Sequence, residues 1–447
     1  MAYPPHQPDP FSVWAPMKIA VIGGAGVRTP LLVGGLTDSD LPIEHIALYD
    51  VDQARLTTIG MVAQRTAAKG RVTLCGSVAE CVAEADVVFT SIRVGGIQQR
   101  VRDEATAQRH GIVGQETIGP AGFAMAARTI PAMVEYARHI AEVAPQAWIV
   151  NFTNPVGMIT EAMRTVTSRV IGICDTPTEL FEEVAGALGL PSDACRFDYF
   201  GLNHLGWLRE VYSGGEPQLH RLWSDADLLR SVYKVPLFDP VSLRELRLLP
   251  TEYVYYYDQP TRAFDNVRRA GRGRGQAIAE LTAVLFESLE APGADVLAVY
   301  NSYLRTRSAS YMQIEAGADG PSKPAASSGL SGYDRIALGV LRAIRFNTNA
   351  IIPLSVANQR NIAVLQDTDV VEVPCVVNAN GATPLHVPPL PEKIVPLLTR
   401  VKEYERLTVK AALSKDLAAA TLALAHNPLV QGHATAARLI DDLSPLW

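Results

Sequence analysis

The 447-residue sequence predicts an α/β fold, with a doubly wound parallel sheet in its first part and an α+β lobe in its second. Three observations support this prediction. Short apolar runs recur up to about residue 175, and most of them end in a glycine or a polar residue. Helix-forming stretches separate these runs, which is the pattern of parallel strands joined by crossover helices. After about residue 200 the helical stretches dominate, so the organisation of the chain changes there.

Six apolar runs are the predicted strands of the parallel sheet. They cover residues 17–24, 45–50, 72–77, 86–92, 148–153 and 170–175. Continuous apolar runs of this length are typical of strands that are buried on both faces. Between them lie helical patterns such as that of residues 124–144, which are long enough for crossover connections.

The second half is predicted to be helical at residues 275–289, 333–346 and 391–428, with a β-rich insertion at 362–387. This division predicts a flexible tail at 1–16, a nucleotide-binding domain at 17–200 and a substrate and oligomerisation domain at 201–447. Residues 323–332 are rich in small and helix-breaking residues, which indicates a mobile loop.

Composition and charge narrow the class of function. The net charge is −6, whereas proteins that bind nucleic acid backbones usually carry an excess of basic residues. The five cysteines have no paired spacing, which favours free thiols in a reducing compartment. No stretch has the length of a signal peptide core or a membrane span. We therefore expect a soluble, cytoplasmic protein that binds neither nucleic acid nor a membrane.

A glycine loop follows the first predicted strand. Gly24 and Gly26 let the backbone approach a pyrophosphate at a helix N-terminus, although Thr29 stands where the usual third glycine would be. Asp50 ends the second strand and suits the ribose hydroxyls of NAD. The alternative is a plain strand-turn-helix with a solvated aspartate. Position and acid together favour a Rossmann-like NAD site.

Two residues near the end of the sixth strand suggest a metal site. A strand-end cysteine such as Cys174 is most often a small buried hydrophobe, and a lone histidine such as His204 is most often a satisfied polar residue. Thiolate and imidazole together, however, suit a borderline divalent metal and leave positions open for substrate oxygens. Asp175 would then be a general acid or a group that supports the ligands.

Other strand ends also carry polar residues. Asn154 precedes a proline and could present its amide to substrate hydroxyls, or it could simply form a turn. Arg93 could meet the cofactor or an anionic substrate, or lie on the surface. In a later tyrosine run, Tyr253 could act as a base only if a nearby cation lowered its pKa. Arg272 lies in an arginine-rich loop before a helix, which suits a phosphate ester or a solvated face equally.

The ordered set of motifs resembles glycoside hydrolase family 4, from Met17 to about Pro428. NFTNPVG and GLNHL are most similar to the 6-phospho-β-glucosidases of that family. The main motifs are VIGGAGVRTP (21–30), RVGG (93–96), GIVGQETIGPAGF (111–123), NFTNPVGMITE (151–161), GICDTP (172–177) and GLNHLGW (201–207).

The resemblance implies a chemistry outside two-carboxylate glycoside hydrolysis. NAD would take a hydride from C3 of the sugar, a base would remove the C2 proton, and the aglycone would leave by elimination before water adds and the hydride returns. Tyr253 matches the base, and Cys174 and His204 match ligands of a divalent metal such as Mn²⁺. Arg272 matches an arginine at the 6-phosphate, and Asn154 and Arg93 match pocket positions. Dimers or tetramers are usual in the family.

Two departures leave alternatives open. Asp175 follows the metal-ligand cysteine as it does in the α-glucosidase members, where this aspartate is the proposed general acid. Ala25 and Arg28 replace residues of a serine-rich loop. The alternatives are a 6-phospho-α-glucosidase or a family member acting on a non-phosphorylated sugar, an oxidoreductase similar to lactate or malate dehydrogenase, and a non-catalytic NAD-binding sensor.

Overall fold

The computed structural model describes residues 15–317 and 332–444. The predicted tail therefore lies outside the described residues up to residue 14. The predicted loop at 323–332 also lies outside them, except for Gly332.

The first half of the chain forms a parallel sheet in the order β3-β2-β1-β4-β5-β6. This is the strand order of doubly wound dinucleotide-binding folds, and it confirms the predicted fold class. The strands are β1 (Met17–Ile22), β2 (Ile43–Tyr49), β3 (Arg71–Leu74), β4 (Val87–Thr90), β5 (Trp148–Asn151) and β6 (Val170–Gly172).

Six helices connect these strands, and a seventh follows β6. Long apolar stretches of α5 are buried, as expected for a helix that covers a sheet. The helices are α1 (Thr29–Asp38), α2 (Gln53–Thr66), α3 (Val78–Val82), α4 (Gly96–Arg109), α5 (Gly119–Val143), α6 (Val156–Met163) and α7 (Thr176–Leu188).

Beyond residue 194 the chain first forms a small antiparallel sheet. Its strands are β7 (Cys195–Leu202), β8 (Leu205–Ser213), β9 (Glu216–Pro217) and β10 (Leu249–Pro250). The β7–β8 hairpin has a two-residue loop, Asn203 and His204, with φ of 64° at His204. This hairpin was not predicted from the sequence, and it is the element that carries the candidate histidine ligand.

Three C-terminal strands extend the large sheet past β6, so that the nine-stranded sheet is mixed. They are β11 (Ala350–Ala357), β12 (Val370–Asn378) and β13 (Gly381–Pro384), and all three pairings are antiparallel. The predicted β-rich insertion supplies β12 and β13, whereas β11 was not predicted. Both parts of the chain thus share one sheet and one contiguous core, which includes Phe89 of β4 and Leu354 of β11.

The remaining helices pack around these sheets. No helix among the described residues is long and apolar enough to cross a bilayer. These helices are α8 (His220–Ser224), α9 (Ala226–Ser231), α10 (Pro240–Leu246), α11 (Tyr255–Asp258), α12 (Pro260–Ala270), α13 (Arg274–Glu290), α14 (Val296–Ala309), α15 (Gln313–Ala316), α16 (Gly332–Phe346), α17 (Val395–Ser414), α18 (Leu417–His426) and α19 (Gly432–Leu443).

Candidate active site

A large cleft opens at the carboxyl ends of the parallel strands, where ligands bind in open α/β sheets. Its volume is about 1600 Å³. The lining runs from the glycine loop and Asp50, past Cys174 and His204, to residues of α13 and α14. The two halves of the chain therefore form the cleft together.

The glycine loop lies at one end of this cleft. Gly23 has φ of 97°, and a Cβ there would stand 2.2 Å from the carbonyl oxygen of Ser91. Gly24 packs against the second strand, since its Cβ would lie 2.9 Å from that of Leu48. Gly26 lines the cleft, and Gly24 does not. The loop thus brings bare backbone to the start of α1, as a pyrophosphate site requires.

Asp50 is oriented by the backbone of both neighbouring loops. One carboxylate oxygen accepts a hydrogen bond from Ala25 N at 3.1 Å, and the other accepts one from Asp52 N at 3.0 Å. A carboxylate has about four acceptor positions, so two remain for the hydroxyls of a ribose. Asp50 lines the cleft beside Gly26, which is the arrangement that NAD binding needs.

Cys174 and His204 meet in the middle of the cleft. The distance from Cys174 Sγ to His204 Nε2 is 3.6 Å, and each residue is 6% exposed. Burial lowers the pKa of His204 to about 4, so that its ring is neutral and has one nitrogen lone pair. Burial also raises the pKa of the Cys174 thiol. The other ring nitrogen of His204, Nδ1, lies 2.8 Å from Thr117 Oγ1.

These two side chains fit a divalent metal. A sulfur about 2.3 Å and a nitrogen about 2.1 Å from one tetrahedral ion stand about 3.6 Å apart. Within the described residues no group of three or more histidine, cysteine, aspartate or glutamate side chains forms a metal cage. Asn154 Oδ1 lines the same cleft, is buried, and has no hydrogen-bond partner among the described residues. The donor set is therefore incomplete, which suits a metal that also binds substrate oxygens.

Tyr253 lies directly on the ring of His204. The two rings are stacked, with centroids 3.8 Å apart and planes 4° from parallel. Tyr311 lines the cleft with Tyr253, and the Tyr311 hydroxyl donates to Glu252 Oε1 at 2.9 Å. Burial and neighbouring carboxylates raise the pKa of Tyr253 well above its ordinary value. Burial raises the pKa of Glu252 to about 8.

Asp175 forms an ion pair with the glycine loop. Its Oδ2 is 3.1 Å from Arg28 Nη1, and both side chains line the cleft. Asp175 and Arg28, which both depart from the family pattern, therefore contact each other. Asp175 is also the residue that precedes α7, so its backbone begins that helix next to Cys174.

Arg93 belongs to a buried ion-pair network. It pairs with Glu116 Oε2 at 2.5 Å, and Arg100 pairs with the same oxygen at 2.8 Å. These arginines overcome the effect of burial and lower the pKa of Glu116 to about 2. Arg100 also bonds Glu104 at 2.6 Å. Arg93 thus faces the cleft with its orientation fixed by Glu116.

Two arginines of the arginine-rich loop, Arg272 and Arg274, differ in whether they line the cleft. Arg272 pairs with Glu280 at 2.9 Å, is half-exposed, and is not among the residues that line the cleft. Arg274 lines the cleft, and its guanidinium donates to the carbonyl oxygens of Ser310 and Arg307. At the start of α13, the backbone N–H of Gly275 already donates to a carboxylate oxygen of Glu104 at 2.8 Å. Of these two arginines, only Arg274 faces the cleft.

The structure brings most of the predicted residues into one cleft, with Gly24 beneath the loop and Arg272 outside the lining. Sequence reasoning did not single out Gln115, Glu116 and Thr117, although they lie in the GIVGQETIGPAGF motif. A polar triplet between glycine-rich turns was the signal that could have identified them. Glu252 and Tyr311 gave no comparable signal, because their positions depend on distant loops.

The chain is similar to known proteins along most of its length. Residues 18–190 match the model of the family 4 glycosyl hydrolases, and residues 199–430 match the model of their C-terminal domain. A 6-phospho-β-glucosidase of Thermotoga maritima is 28% identical, over 96% of this chain and 97% of its own. A phospho-α-glucosidase of Clostridium acetobutylicum is also 28% identical, over 95% of this chain and 96% of its own.

The fold is similar to that of a solved relative. The structure of the Thermotoga maritima 6-phospho-β-glucosidase with manganese, NAD⁺ and glucose-6-phosphate superposes with a TM-score of 0.80 and 26% identity. The match covers 96% of this chain and 98% of that one. The two family models together extend over nearly the whole described chain, which establishes the family. The chain belongs to the family 4 glycosyl hydrolases.

Proposed function

We propose that this chain is an NAD- and Mn²⁺-dependent glycosidase that cleaves 6-phospho-β-glucosides. The observation that carries the proposal is the arrangement of Cys174, His204 and Tyr253 in one cleft with a dinucleotide loop. A ligand pair, a stacked phenol and a nicotinamide cofactor are the parts that oxidation at C3 and proton removal at C2 require. A relative of similar fold was crystallised with manganese, NAD⁺ and glucose-6-phosphate.

Each part of the cleft has a role in this proposal. The glycine loop and Asp50 would hold NAD, and Cys174 and His204 would hold the metal. Asn154 offers its amide oxygen, which has no hydrogen-bond partner within the described part of the chain, to a sugar hydroxyl. When bound, NAD accepts and returns a hydride, and the divalent cation withdraws electron density from the sugar oxygens that it contacts.

Tyr253 is the proposed base. Tyr311 lines the same cleft and its hydroxyl donates to Glu252 Oε1, so a proton that passes from Tyr253 to Tyr311 can continue to Glu252. The raised pKa of Glu252, about 8, makes this carboxylate a better proton acceptor than an ordinary glutamate. A positive charge near the stacked rings lowers the free energy of the phenolate.

The 6-phosphate is assigned to Arg274. The sequence resemblance suggested Arg272, but Arg272 is paired with Glu280 outside the cleft lining. Arg274 lies on the cleft wall together with Arg307 and Ser308. A fixed guanidinium suits a phosphate because it offers two donors in a plane.

The 6-phospho-α-glucosides are the second candidate substrates. Asp175 favours them, because it lines the cleft at the position of the proposed general acid of the α-specific members. Elimination that begins with oxidation at C3 does not depend on the anomeric configuration. The comparison with relatives of both names leaves this choice to experiment.

The test is hydrolysis of p-nitrophenyl α- and β-glucoside 6-phosphates, with and without NAD and Mn²⁺. We expect nitrophenol release from the β substrate only when both cofactors are supplied, and no net NADH. Cys174→Ser and His204→Ala should each abolish the metal-dependent activity and leave NAD affinity unchanged. Activity that persists without both cofactors would contradict the mechanism.

Three other outcomes identify the alternatives. Net NADH production would indicate an oxidoreductase of the lactate or malate dehydrogenase type. NAD binding without any turnover would indicate a sensor. Release only from substrates that lack the phosphate would indicate another glycosidase specificity. We further propose a cytoplasmic homodimer or homotetramer, to be tested by light scattering of the purified protein and by fractionation of its native cells.

A further inference from the structure

Gln115 and Thr117 have no part in the proposed function, yet Thr117 contacts His204, one of its metal ligands, and Gln115 contacts Thr117. Both are 6% exposed, as is His204, so bulk water does not compete for their hydrogen bonds. Thr117 Oγ1 lies 2.8 Å from His204 Nδ1 and 2.9 Å from Gln115 Oε1. The same Gln115 oxygen lies 2.7 Å from the backbone nitrogen of Thr117.

These contacts assign the hydrogens one after another. A backbone N–H can only donate, so the Gln115 atom that faces Thr117 N is the amide oxygen. That oxygen also accepts the hydrogen of the Thr117 hydroxyl. A hydroxyl has a single hydrogen, so Thr117 Oγ1 can only accept from His204. His204 therefore carries its hydrogen on Nδ1.

The assignment determines where the lone pair of the imidazole points. With the hydrogen on Nδ1, the lone pair is on Nε2, the nitrogen that lies 3.6 Å from Cys174 Sγ. The opposite tautomer would direct an N–H towards the thiol and block the nitrogen that faces the metal position. The hydrogen bond at Nδ1 thus selects the tautomer in which Nε2 can bind a metal.

We propose that Thr117 and Gln115 are positioning residues that lock His204 in its Nδ1–H tautomer and so aim Nε2 at the metal. This inference rests on the metal site of the proposed function. Tyr253 meets the ring by its face and Cys174 approaches only Nε2, so Thr117 is the described side chain that bonds Nδ1. The hairpin loop positions the backbone of His204, and the threonine positions the ring.

The first experiment measures the tautomer directly in metal-free protein. Histidine labelled with ¹⁵N distinguishes protonated from unprotonated ring nitrogens, and His204→Gln assigns the signal. We expect Nδ1–H in the wild type and a shift towards Nε2–H in Thr117→Val. Gln115→Leu should cause the same shift although the threonine remains, because its hydroxyl is then free to donate. A wild-type ring protonated on Nε2 overturns the inference.

The second experiment measures Mn²⁺ affinity by the electron paramagnetic resonance signal of the free ion. Thr117→Val should bind about 10- to 100-fold more weakly, with unchanged NAD affinity, and Thr117→Ser should recover most of the loss. Thr129→Val is the matched control: Thr129 is fully buried in α5, has no hydrogen-bond partner among the described residues, and lies outside the cleft lining.

The outcomes separate this inference from the proposed function. Equal Mn²⁺ affinity in Thr117→Val and the wild type overturns the inference while the metal site stands. If the wild type binds no Mn²⁺, the proposed function fails. The tautomer measurement then still decides the inference, because it needs no metal.

Discussion

The surroundings of Tyr253 oppose the negative charge that a base must carry. Burial is the main reason for its raised pKa, and the carboxylates of Glu252 and Glu116 add to it. Its ring is nevertheless stacked on a proposed metal ligand. A cation bound there would reverse the electrostatic sign of the site, so the phenol would become a base only in the loaded enzyme.

Removing the Tyr253 hydroxyl tests this role. We expect Tyr253→Phe to lower kcat by about 10²- to 10⁴-fold, because proton transfer by a positioned base contributes that much. The affinities for NAD and Mn²⁺ should stay unchanged, since the ring stack remains. Tyr257→Phe is the control, because Tyr257 belongs to the same run but not to the cleft lining, and it should retain wild-type kcat. A Tyr253→Phe enzyme with full activity would exclude this tyrosine as the base.

At the scale of the element, the start of α13 shows how neighbouring arginines acquire different roles. Glu104 accepts from Gly275 N, so a carboxylate already occupies the helix N-terminus that could otherwise hold an anion. Arg274 donates to the carbonyl oxygens of Arg307 in α14 and of Ser310 after it, whereas Arg272 pairs with Glu280 of α13.

Paired variants at this helix start distinguish the two arginines. Arg274→Ala should raise the Kd for glucose-6-phosphate by about 10- to 100-fold, the usual value of a lost hydrogen bond to a charged group. Affinity for unphosphorylated glucose should not change. Arg272→Ala should leave both constants close to wild type. Calorimetric titration measures these Kd values. If Arg272→Ala weakens binding and Arg274→Ala does not, Arg272 is the residue that binds the phosphate.

At the scale of the whole molecule, Glu372 connects the two sheets. It lies on β12 of the large sheet and accepts hydrogen bonds from Tyr199 at 2.7 Å and Asn203 at 3.2 Å, both in the small sheet. Burial raises its pKa from 4.5 to about 7, although both hydrogen bonds lower it. The folded protein therefore holds a proton on Glu372 over a pH range in which the unfolded chain has released it.

The sign of the pH dependence follows from this difference. Because the carboxyl pKa is raised, Glu372 stabilises the folded state fully below pH 4.5. As the pH rises to about 7, this contribution to the free energy of unfolding falls by about 3 kcal/mol. Glu372→Gln mimics the protonated form, so its free energy of unfolding should fall less than that of the wild type between pH 5 and pH 8. Urea unfolding at several pH values measures this. The exposed control Glu280→Gln should keep the wild-type slope.

The sequence was sufficient to predict the parallel sheet, because its buried strands are short apolar runs and the connecting helices are long. It was also sufficient to place Gly26, Asp50 and Cys174 at strand ends, where the topology brings them together. The β7–β8 hairpin and β11 were missed, since a short apolar run does not distinguish a strand from a helix without its partner strand.

Contacts between distant loops explain why the rest of the site was not predicted. The hydrogen bond between Thr117 and His204 joins residues 87 positions apart, and the one between Glu104 and Gly275 joins residues 171 positions apart. No local pattern encodes such pairs, because each depends on how whole elements pack. The choice between Arg272 and Arg274 depends on the same packing, since both precede one helix.

The pairing of β11 with β6 also has a consequence for synthesis of the protein. Ser355 lies opposite Gly172, on the strand that leads into Cys174. While the chain leaves the ribosome, β6 stays at an open edge until residues beyond 357 have emerged. An open edge is a template for pairing between chains, so nascent molecules are most prone to aggregate in this interval. A truncated chain that ends near residue 200 would keep this edge of β6 open permanently.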